Sequence, residues 1–294
     1  MANELVGQGD YKFEYYPDWA VLPNNEKLGT VSAVATDSNN NVYVFQRKDP
    51  PVLVFDETGT FLNSWGNGVF VSPHGLYIEN DIVYITDREG QVALRFTLDG
   101  KPLQIIGEHG VASDTGCEIP GELLSKAAEP FNLPTEMVPH PNGDYYISDG
   151  YGNARIHRFT SNGELVKSWG KPGKVEPFEF HLPHSLIVGQ DGNIYLCDRE
   201  NSRIQIFSPE GDHLGMWTDM QRPLDISCDS DGLFYISERP EDDKPPQFSI
   251  LSKTGEVLSR WSCRSAHGSW VDSKGDIYLG LTAEKSVDKY VRVK

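Results

Sequence analysis

The chain has 294 residues, with 26 basic and 43 acidic side chains and a formal net charge of −17. Hydrophobic residues make up 38% of it, and no stretch approaches the roughly 18 consecutive apolar residues of a membrane helix. The strong negative charge disfavours binding to nucleic acid and to acidic membrane surfaces, because both are themselves negatively charged.

The N-terminal residues lack the basic start and apolar run of a secretory signal, so the sequence predicts a cytoplasmic protein. The four cysteines stand singly along the chain, with no Cys-x-x-Cys pair, at Cys117, Cys197, Cys228 and Cys263. This spacing predicts reduced thiols rather than a disulfide scaffold or a zinc ribbon.

A repeat of about 40 to 50 residues runs through the chain, and each copy contains a short run of β-branched and aromatic residues. In chain order, these runs are Val42–Phe45, Val83–Asp87, Tyr145–Asp149, Ile194–Asp198, Phe234–Ile236 and Ile277–Leu279. Turns such as Asp99-Gly100 separate the strands, as is typical of antiparallel hairpins. The only segment with a possible helical period is Gly121 to Ala128.

Six units of four short strands predict an all-β protein, a six-bladed β-propeller that forms a single domain over residues 1–294. The sixth unit ends near Val293, before its outer strand. A strand at Tyr11–Tyr15, near the N-terminus, is therefore predicted to fill that place and close the ring. Residues 108–129 form an insertion, interpreted either as a cap over one face or as a disordered loop.

Three of the eight histidines, His74, His184 and His267, occupy the same place in units two, four and six, at the start of the innermost strand. Alternate blades of a six-bladed ring lie about 120° apart, so the three side chains are predicted to converge on the central channel. Three imidazoles leave one position of a zinc ion open, as in catalytic sites, and iron or cobalt would accept similar ligands.

For a single histidine in such a place, a packing or hydrogen-bonding role is the alternative. The other five histidines are predicted to lie at the surface, namely His109, His140, His157, His181 and His213.

A second group of side chains follows the second strand of its unit, at one rim of the predicted channel. It consists of Arg47, Tyr151 and Arg199, with Arg88 and Arg239 in comparable places. Arginine there suits a bidentate contact with a substrate carboxylate, and tyrosine suits a general base beside cations and a metal. The alternative is that these residues are solvated rim charges and a packed aromatic ring.

Several motifs resemble the NHL-repeat propellers and, among them, the peptidyl-α-hydroxyglycine α-amidating lyases. These motifs are Ser72–Leu76, Asp149–Ile156, Leu182–Leu186 and Asp198–Gln205. The resemblance implies a catalytic zinc on the three equivalent histidines, a catalytic tyrosine at Tyr151, and active-site arginines at Arg47 and Arg199. It also implies cleavage of an N-acyl hemiaminal to an amide and glyoxylate.

Three features depart from that family. The family's structural calcium uses an aspartate where Gly268 stands here, which puts calcium binding in doubt. The positions of the family's disulfide are Gly152 and Asn132, in agreement with a reducing compartment. Ser265 replaces a methionine, which predicts a more polar pocket and a different substrate.

The sequence therefore predicts a metal-dependent lyase whose substrate is a small carboxylated hemiaminal of the N-acyl or N-carbamoyl α-hydroxyglycine type. The products would be an amide or a urea plus glyoxylate. One alternative is a zinc-dependent hydrolase or dehydratase with the same site. Another is a calcium-dependent lactonase, although such sites use Glu, Asn and Asp rather than three histidines. The third is a non-catalytic NHL interaction platform, for which the net charge argues against RNA as a partner.

Overall fold

A computed structural model describes residues 4–293 of the chain. The described chain divides into two compact units, one formed by residues 4–69 with 224–293 and the other by Phe70–Pro223. The helices among the described residues are single 3-10 turns at Pro23–Asn25 and Arg199–Asn201. None of the described helices has the length and apolarity needed to cross a membrane.

The unit of residues 70–223 contains blades 2, 3 and 4, each a four-stranded antiparallel meander. The strands of blade 2 are Pro73–Glu79, Ile82–Asp87, Val92–Thr97 and Pro102–Ile106. Those of blade 3 are Pro134–Pro139, Tyr145–Asp149, Arg155–Phe159 and Leu165–Trp169. Those of blade 4 are Pro183–Val188, Ile194–Asp198, Arg203–Phe207 and His213–Trp217, preceded by a short parallel pair, Lys171–Pro172 with Glu179–Phe180.

The other unit contains blades 1, 5 and 6. The strands of blade 1 are Val31–Thr36, Val42–Gln46, Val52–Phe55 and Phe61–Trp65. Those of blade 5 are Pro223–Cys228, Phe234–Glu238, Gln247–Leu251 and Val257–Ser262. Those of blade 6 are Ala266–Val271, Ile277–Leu281 and Ser286–Arg292, followed in the sheet by Tyr11–Tyr16 and Leu5–Gln8.

Six such sheets among residues 4–293 confirm the predicted all-β six-bladed β-propeller. The predicted N-terminal strand is confirmed as well, because Tyr11–Tyr16 pairs antiparallel with Ser286–Arg292. Within this strand Phe13 is fully buried and packs in one cluster with Trp261 and Tyr290. The first and last blade-forming segments of the chain thus share one sheet.

The second strand of each blade is apolar on both faces because neighbouring sheets cover both sides of it. In Tyr145–Asp149 every residue is buried. Its Tyr146 packs in a cluster that also contains Leu186 and Leu196 of blade 4, and Tyr145 packs in another cluster with Tyr84 of blade 2. Because both faces of these strands are buried, they are continuous apolar and aromatic runs in the sequence, and such runs are what made the strands predictable.

Residues 108–129 contain turns and bends but no helix, so the helical interpretation of Gly121 to Ala128 is wrong. Gly121 has a φ of 92°, in the left-handed region, and its N–H donates to the carbonyl of Tyr151 at 2.7 Å. The positive φ of Gly121 is incompatible with a right-handed helix at this residue. All four cysteines of the chain are free thiols.

Candidate active site

His74 and His184 lie close together within the unit of residues 70–223. Each is the second residue of the first strand of its blade, at a point where the pairing register shifts by a β-bulge. Bulges of this kind re-aim a side chain out of the regular alternation. Both rings are 2% exposed, their centroids are 4.9 Å apart, and their potential ligand nitrogens lie within 4.8 Å of one another.

A carboxylate at the end of the second strand anchors the backbone that leads into each of these histidines. In blade 2, Asp87 accepts the N–H groups of Val71 and Ser72 at 2.8 and 2.7 Å. In blade 4, Asp198 accepts the N–H of His181 at 2.8 Å. Both carboxylates are buried. In each blade, therefore, a carboxylate on the second strand holds the backbone segment that precedes the histidine.

The tautomer of His74 follows from its hydrogen bond to a backbone carbonyl. Its Nδ1 lies 2.8 Å from the carbonyl oxygen of Thr135, which can only accept, so Nδ1 carries the proton. The Nε2 atom then keeps its lone pair, which is the form in which imidazole binds metals. Metal-bound histidines commonly donate their other ring N–H to a backbone carbonyl in this way.

His267 belongs to the other unit and has the same local arrangement. It is the second residue of Ala266–Val271, and its Nδ1 lies 2.7 Å from the carbonyl oxygen of Ser32. Its Nε2 is therefore also the nitrogen that retains a lone pair. In blades 2 and 6, the same hydrogen bond from Nδ1 to a backbone carbonyl therefore leaves Nε2 as the nitrogen that can bind a metal.

Tyr151 lies directly beside His184, in the loop that follows Tyr145–Asp149. Its Oη is 3.2 Å from Nε2 of His184, and its ring centroid is 5.2 Å from that of His74. The loop is held by the N–H of Gly152, which donates to the carbonyl of Asn132, and by the hydroxyl of Thr115, which donates to the carbonyl of Gly152. A phenol oxygen is thereby fixed next to a potential ligand nitrogen.

The insertion at 108–129 packs on this same loop. Besides the bond from Gly121 to the Tyr151 carbonyl, the thiol of Cys117 lies 3.8 Å from that oxygen. Thr115 adds its 2.6 Å bond to Gly152. The insertion therefore contacts the backbone that presents Tyr151, and its role as a cap stays a prediction.

Arg199, which follows the second strand of blade 4, also contacts Tyr151. Its Nη1 donates to Oη of Tyr151 at 3.3 Å, while Nε and Nη2 bind Oε1 of Glu200 at 2.8 and 2.7 Å. Glu200 also binds Arg222 at 2.7 Å. Burial favours the neutral acid, but Arg222 and Arg199 outweigh it and lower the pKa of Glu200. The sequence did not single out Glu200, although it adjoins Arg199 in the motif.

The remaining predicted rim arginines fall in both units. Arg88 is largely buried in blade 2, and its Cζ lies 4.8 Å from the ring centroid of Tyr151. Arg47, in the other unit, is exposed, and its N–H donates to the carbonyl of Thr30 at 2.9 Å. Arg239 follows Phe234–Glu238 and is half-buried. A role for Arg47 in binding substrate stays a prediction.

The prediction that His157 lies at the surface is wrong. Its side chain is fully buried, and Nε2 lies 3.2 Å from the Asp149 carboxylate while Nδ1 lies 2.7 Å from the hydroxyl of Ser168. Burial raises the pKa of Asp149. The two partners lie on the neighbouring strands of the same blade, and this buried pair supports the strand that ends two residues before Tyr151.

Gly268 has no room for the aspartate of the resembling family. A Cβ at this position would lie 2.6 Å from Cα of Ala33 and 2.8 Å from the carbonyl oxygen of Ser32. Any side chain there would displace the carbonyl that orients His267. The glycine at position 268 is thus required by the packing between blades 1 and 6. That the protein lacks the family's calcium site stays a prediction.

The chain is similar to proteins that contain NHL repeats. A family model for the NHL repeat matches residues 180–207. NHL repeat-containing protein 3 of Homo sapiens is 31% identical over 295 residues, which cover 90% of this chain and 80% of the human protein. The chain belongs to the NHL-repeat family.

This NHL-repeat protein is also similar to a Drosophila melanogaster protein named peptidyl-α-hydroxyglycine α-amidating lyase 1. The two are 31% identical over 222 residues, which cover 63% of this chain and 38% of the fly protein. This NHL-repeat chain therefore spans little more than a third of that relative. The resemblance read from the motifs is confirmed.

Among solved structures, one described as "Streptogramin B lyase structure" matches with a TM-score of 0.68. The match covers 96% of this chain and 99% of that one, at 12% identity. At such low identity the likeness shows the propeller fold of the NHL-repeat protein and nothing about its reaction.

Proposed function

We propose that this protein is a metal-dependent lyase that cleaves a small N-acyl or N-carbamoyl α-hydroxyglycine to an amide or a urea plus glyoxylate. The observation that carries the proposal is the phenol oxygen of Tyr151, 3.2 Å from Nε2 of the buried His184. A proton-transferring group beside a potential metal ligand is what cleavage of a hemiaminal requires. The similarity to a protein named as an amidating lyase supports the same class.

The donor set fits a transition metal with an open position. His74 and His267 each present Nε2 as the lone-pair nitrogen, because a backbone carbonyl holds Nδ1. We propose His74, His184 and His267 as the three ligands, with zinc as the metal and iron or cobalt as substitutes. Bound there, the metal would lower the pKa of the substrate hydroxyl and polarise its oxygen.

The reaction moves one proton off oxygen and one onto nitrogen. The hydroxyl oxygen of the hemiaminal loses its proton and forms the aldehyde C=O, the C–N bond breaks, and the electron pair of that bond goes to the amide nitrogen. We propose that Tyr151 is the general base that accepts the hydroxyl proton and then returns a proton to the leaving nitrogen. Arg199 holds the tyrosine oxygen in position through its 3.3 Å bond.

The carboxylate that becomes part of glyoxylate needs a cationic partner. The resemblance to the amidating lyases implies Arg199 and Arg47 for this role, and guanidinium suits it because it binds carboxylate in a bidentate manner. A small carboxylated molecule is accordingly the proposed partner, and nucleic acid and membranes are not. We also retain the proposal of a cytoplasmic location.

Two alternatives have an observation in their favour. A hydrolase or dehydratase could use the same histidines, because the donor set specifies the metal better than the substrate. A non-catalytic platform is favoured by the similarity to NHL repeat-containing protein 3, whose name states no activity.

Metal content and glyoxylate release together separate these possibilities. We expect about one zinc or iron per chain by mass spectrometry of protein purified without chelators, and loss of that metal in His184→Ala. The matched control is His140→Ala, because His140 bonds the carbonyl of Gly192 in a turn away from Tyr151. We further expect glyoxylate from α-hydroxyhippurate, and a fall in kcat of about 10²- to 10⁴-fold in Tyr151→Phe.

Each other outcome points to one alternative. Metal that depends on His184, without glyoxylate from any N-acyl or N-carbamoyl α-hydroxyglycine, would indicate a different metal-dependent enzyme. Absence of transition metal in the wild type would contradict the lyase and favour the platform.

A further inference from the structure

Arg88 lies against the proposed catalytic tyrosine from the blade 2 side. Its Cζ is 4.8 Å from the ring centroid of Tyr151, and its side chain is only 17% exposed. The only acceptor that it contacts among the described residues is the carboxylate of Glu89, at 2.7 Å. Glu89 is 52% exposed, and an ion pair with so exposed a partner contributes little to stability.

Arg199, on the same tyrosine, is already committed to protein partners. Its three nitrogens contact Glu200 and Tyr151, and its side chain is 7% exposed. Glu200 is largely buried and is held in its charged form by two arginines. A substrate carboxylate that bound Arg199 in a bidentate manner would have to displace this buried partner.

Two guanidinium groups thus lie within 5.5 Å of one tyrosine ring centroid, and only one of them has a buried counter-ion. A largely buried guanidinium is stabilised by an anion beside it. The anion that balances Arg88 at present is a half-exposed side chain, which an incoming carboxylate can replace.

We infer that Arg88 binds the substrate carboxylate, while Arg199 with Glu200 positions Tyr151. This assignment rests on the proposed function for the nature of the ligand, which is the carboxylate of an N-acylglycine or N-acyl-α-hydroxyglycine. It adds a substrate-binding residue that the resemblance to the amidating lyases does not supply. It also predicts preference for a free carboxylate over a carboxamide at this end of the substrate.

Binding can be tested without turnover. Hippurate has the acyl amide and the carboxylate but lacks the hydroxyl, so it cannot be cleaved, and hippuramide is its neutral counterpart. With the full chain as purified, calorimetry should give a Kd for hippurate that rises roughly 10- to 100-fold in Arg88→Gln, with no change for hippuramide. Arg88→Lys should fall between, because lysine keeps the charge but not the fork.

The chain offers a matched control in Arg95, which also packs on tyrosine rings in the same unit. Its Cζ lies 5.5 Å from the ring centroid of Tyr84 and 5.2 Å from that of Tyr145. Arg95→Gln removes the same kind of contact on blade rings other than Tyr151. Hippurate binding should be unchanged in this variant.

Three results would overturn the inference. They are an unchanged Kd for hippurate in Arg88→Gln, an equal loss for hippurate and hippuramide, and absence of hippurate binding by the wild type. The equal loss would make Arg88 a positioning residue for Tyr151 instead. If hippurate binding depends on Arg88 but α-hydroxyhippurate yields no glyoxylate, the lyase proposal fails and the Arg88 assignment stands.

Discussion

The carbonyl oxygen of Thr135 accepts two hydrogen bonds, from Nδ1 of His74 at 2.8 Å and from the hydroxyl of Thr86 at 2.7 Å. The Thr86 oxygen in turn accepts the N–H of Gly75 at 2.9 Å, and the Thr135 hydroxyl reaches the carbonyl of Pro183 at 3.0 Å. One threonine of blade 3 therefore contacts the strands that carry both histidines of this unit. We therefore predict that Thr86 is a positioning residue that acts on His74 through that carbonyl.

Replacing Thr86 by Val keeps the shape of the side chain and removes its hydroxyl. The N–H of Gly75 is then buried without an acceptor, at a cost of about 1–3 kcal/mol of unfolding free energy. The carbonyl that orients His74 loses its second donor, and metal affinity should fall about 10- to 100-fold. Urea unfolding and competition with a chromogenic chelator measure the two effects.

Thr86→Ser retains the hydroxyl and is the matched control. It should restore metal affinity to within a few-fold of the wild type. If Thr86→Val binds metal as tightly as the wild type while losing stability, Thr86 supports the fold alone and does not position His74.

At the scale of elements, the segment that joins blades 3 and 4 leads into the strand that carries His184. Glu179 accepts the N–H groups of Lys174, Val175 and Glu176 at 3.0 to 3.1 Å. These bonds, with the nearby ammonium of Lys171, lower the pKa of Glu179 to about 2. Arg203 ties the same segment to blade 4, since it donates to the carbonyl of Glu179 and pairs with Asp198.

The ionised form of Glu179 is therefore favoured in the folded state. Because its folded pKa lies below the ordinary value of about 4.5, its contribution to stability is present above that pH and is lost as the pH falls towards 2. We expect Glu179→Gln to lower Tm at pH 7 and to approach the wild type as the pH falls. Thermal unfolding of both proteins from pH 7 to pH 3 measures this convergence.

Glu164→Gln serves as the control, because among the described residues no hydrogen bond to the Glu164 carboxylate is present. A difference between wild type and Glu179→Gln that stays constant across the range would show that the glutamate acts by shape rather than by charge.

At the scale of the whole molecule, the chain completes blade 6 with a strand from its other end. Phe13 on Tyr11–Tyr16 is fully buried, with its ring centroid 5.4 Å from that of Trp261. Opposite it in the register stands Arg292 on Ser286–Arg292. The last blade therefore depends on residues more than 250 positions away in sequence, and its edge is covered by them.

Phe13→Ala should destabilise the protein by about 3–5 kcal/mol, because it removes a large buried ring and leaves a cavity. Chemical denaturation measures the change. Leu5→Ala on the neighbouring strand is the control, since Leu5 is 62% exposed and its truncation should cost less than about 0.5 kcal/mol. Equal effects of the two substitutions would mean that the N-terminal strand is held by backbone pairing rather than by the packing of Phe13.

The repeat explains which features of the fold and the candidate site could be predicted. His74 and His184 occupy equivalent positions of the repeat, so the sequence alone predicts that both lie at the start of the first strand of their blade. The helix predicted at Gly121 to Ala128 is absent. Its hydrophobic period is weak, and contacts with the rest of the chain, such as the bond from Gly121 to the Tyr151 carbonyl, outweigh it. The predicted exposure of His157 is wrong because contacts with Asp149 and Ser168 on the adjacent strands and with Phe131 bury it, and its own strand pattern does not show them.

The sequence by itself determined the six four-stranded units, the N-terminal completion of the last one, and the equivalence of the histidines. Period and residue type are local properties of the sequence, and their recurrence in several units supports the same prediction for each unit. Only the tertiary structure decided the tautomer of His74, the carbonyl of Thr135 behind it, the contact of Arg199 with Tyr151, and the place of Arg88 over Tyr151. These depend on which atoms of different blades come within about 3 to 5 Å. Packing of one sheet on the next sets those distances, and no residue pattern along a single strand encodes them.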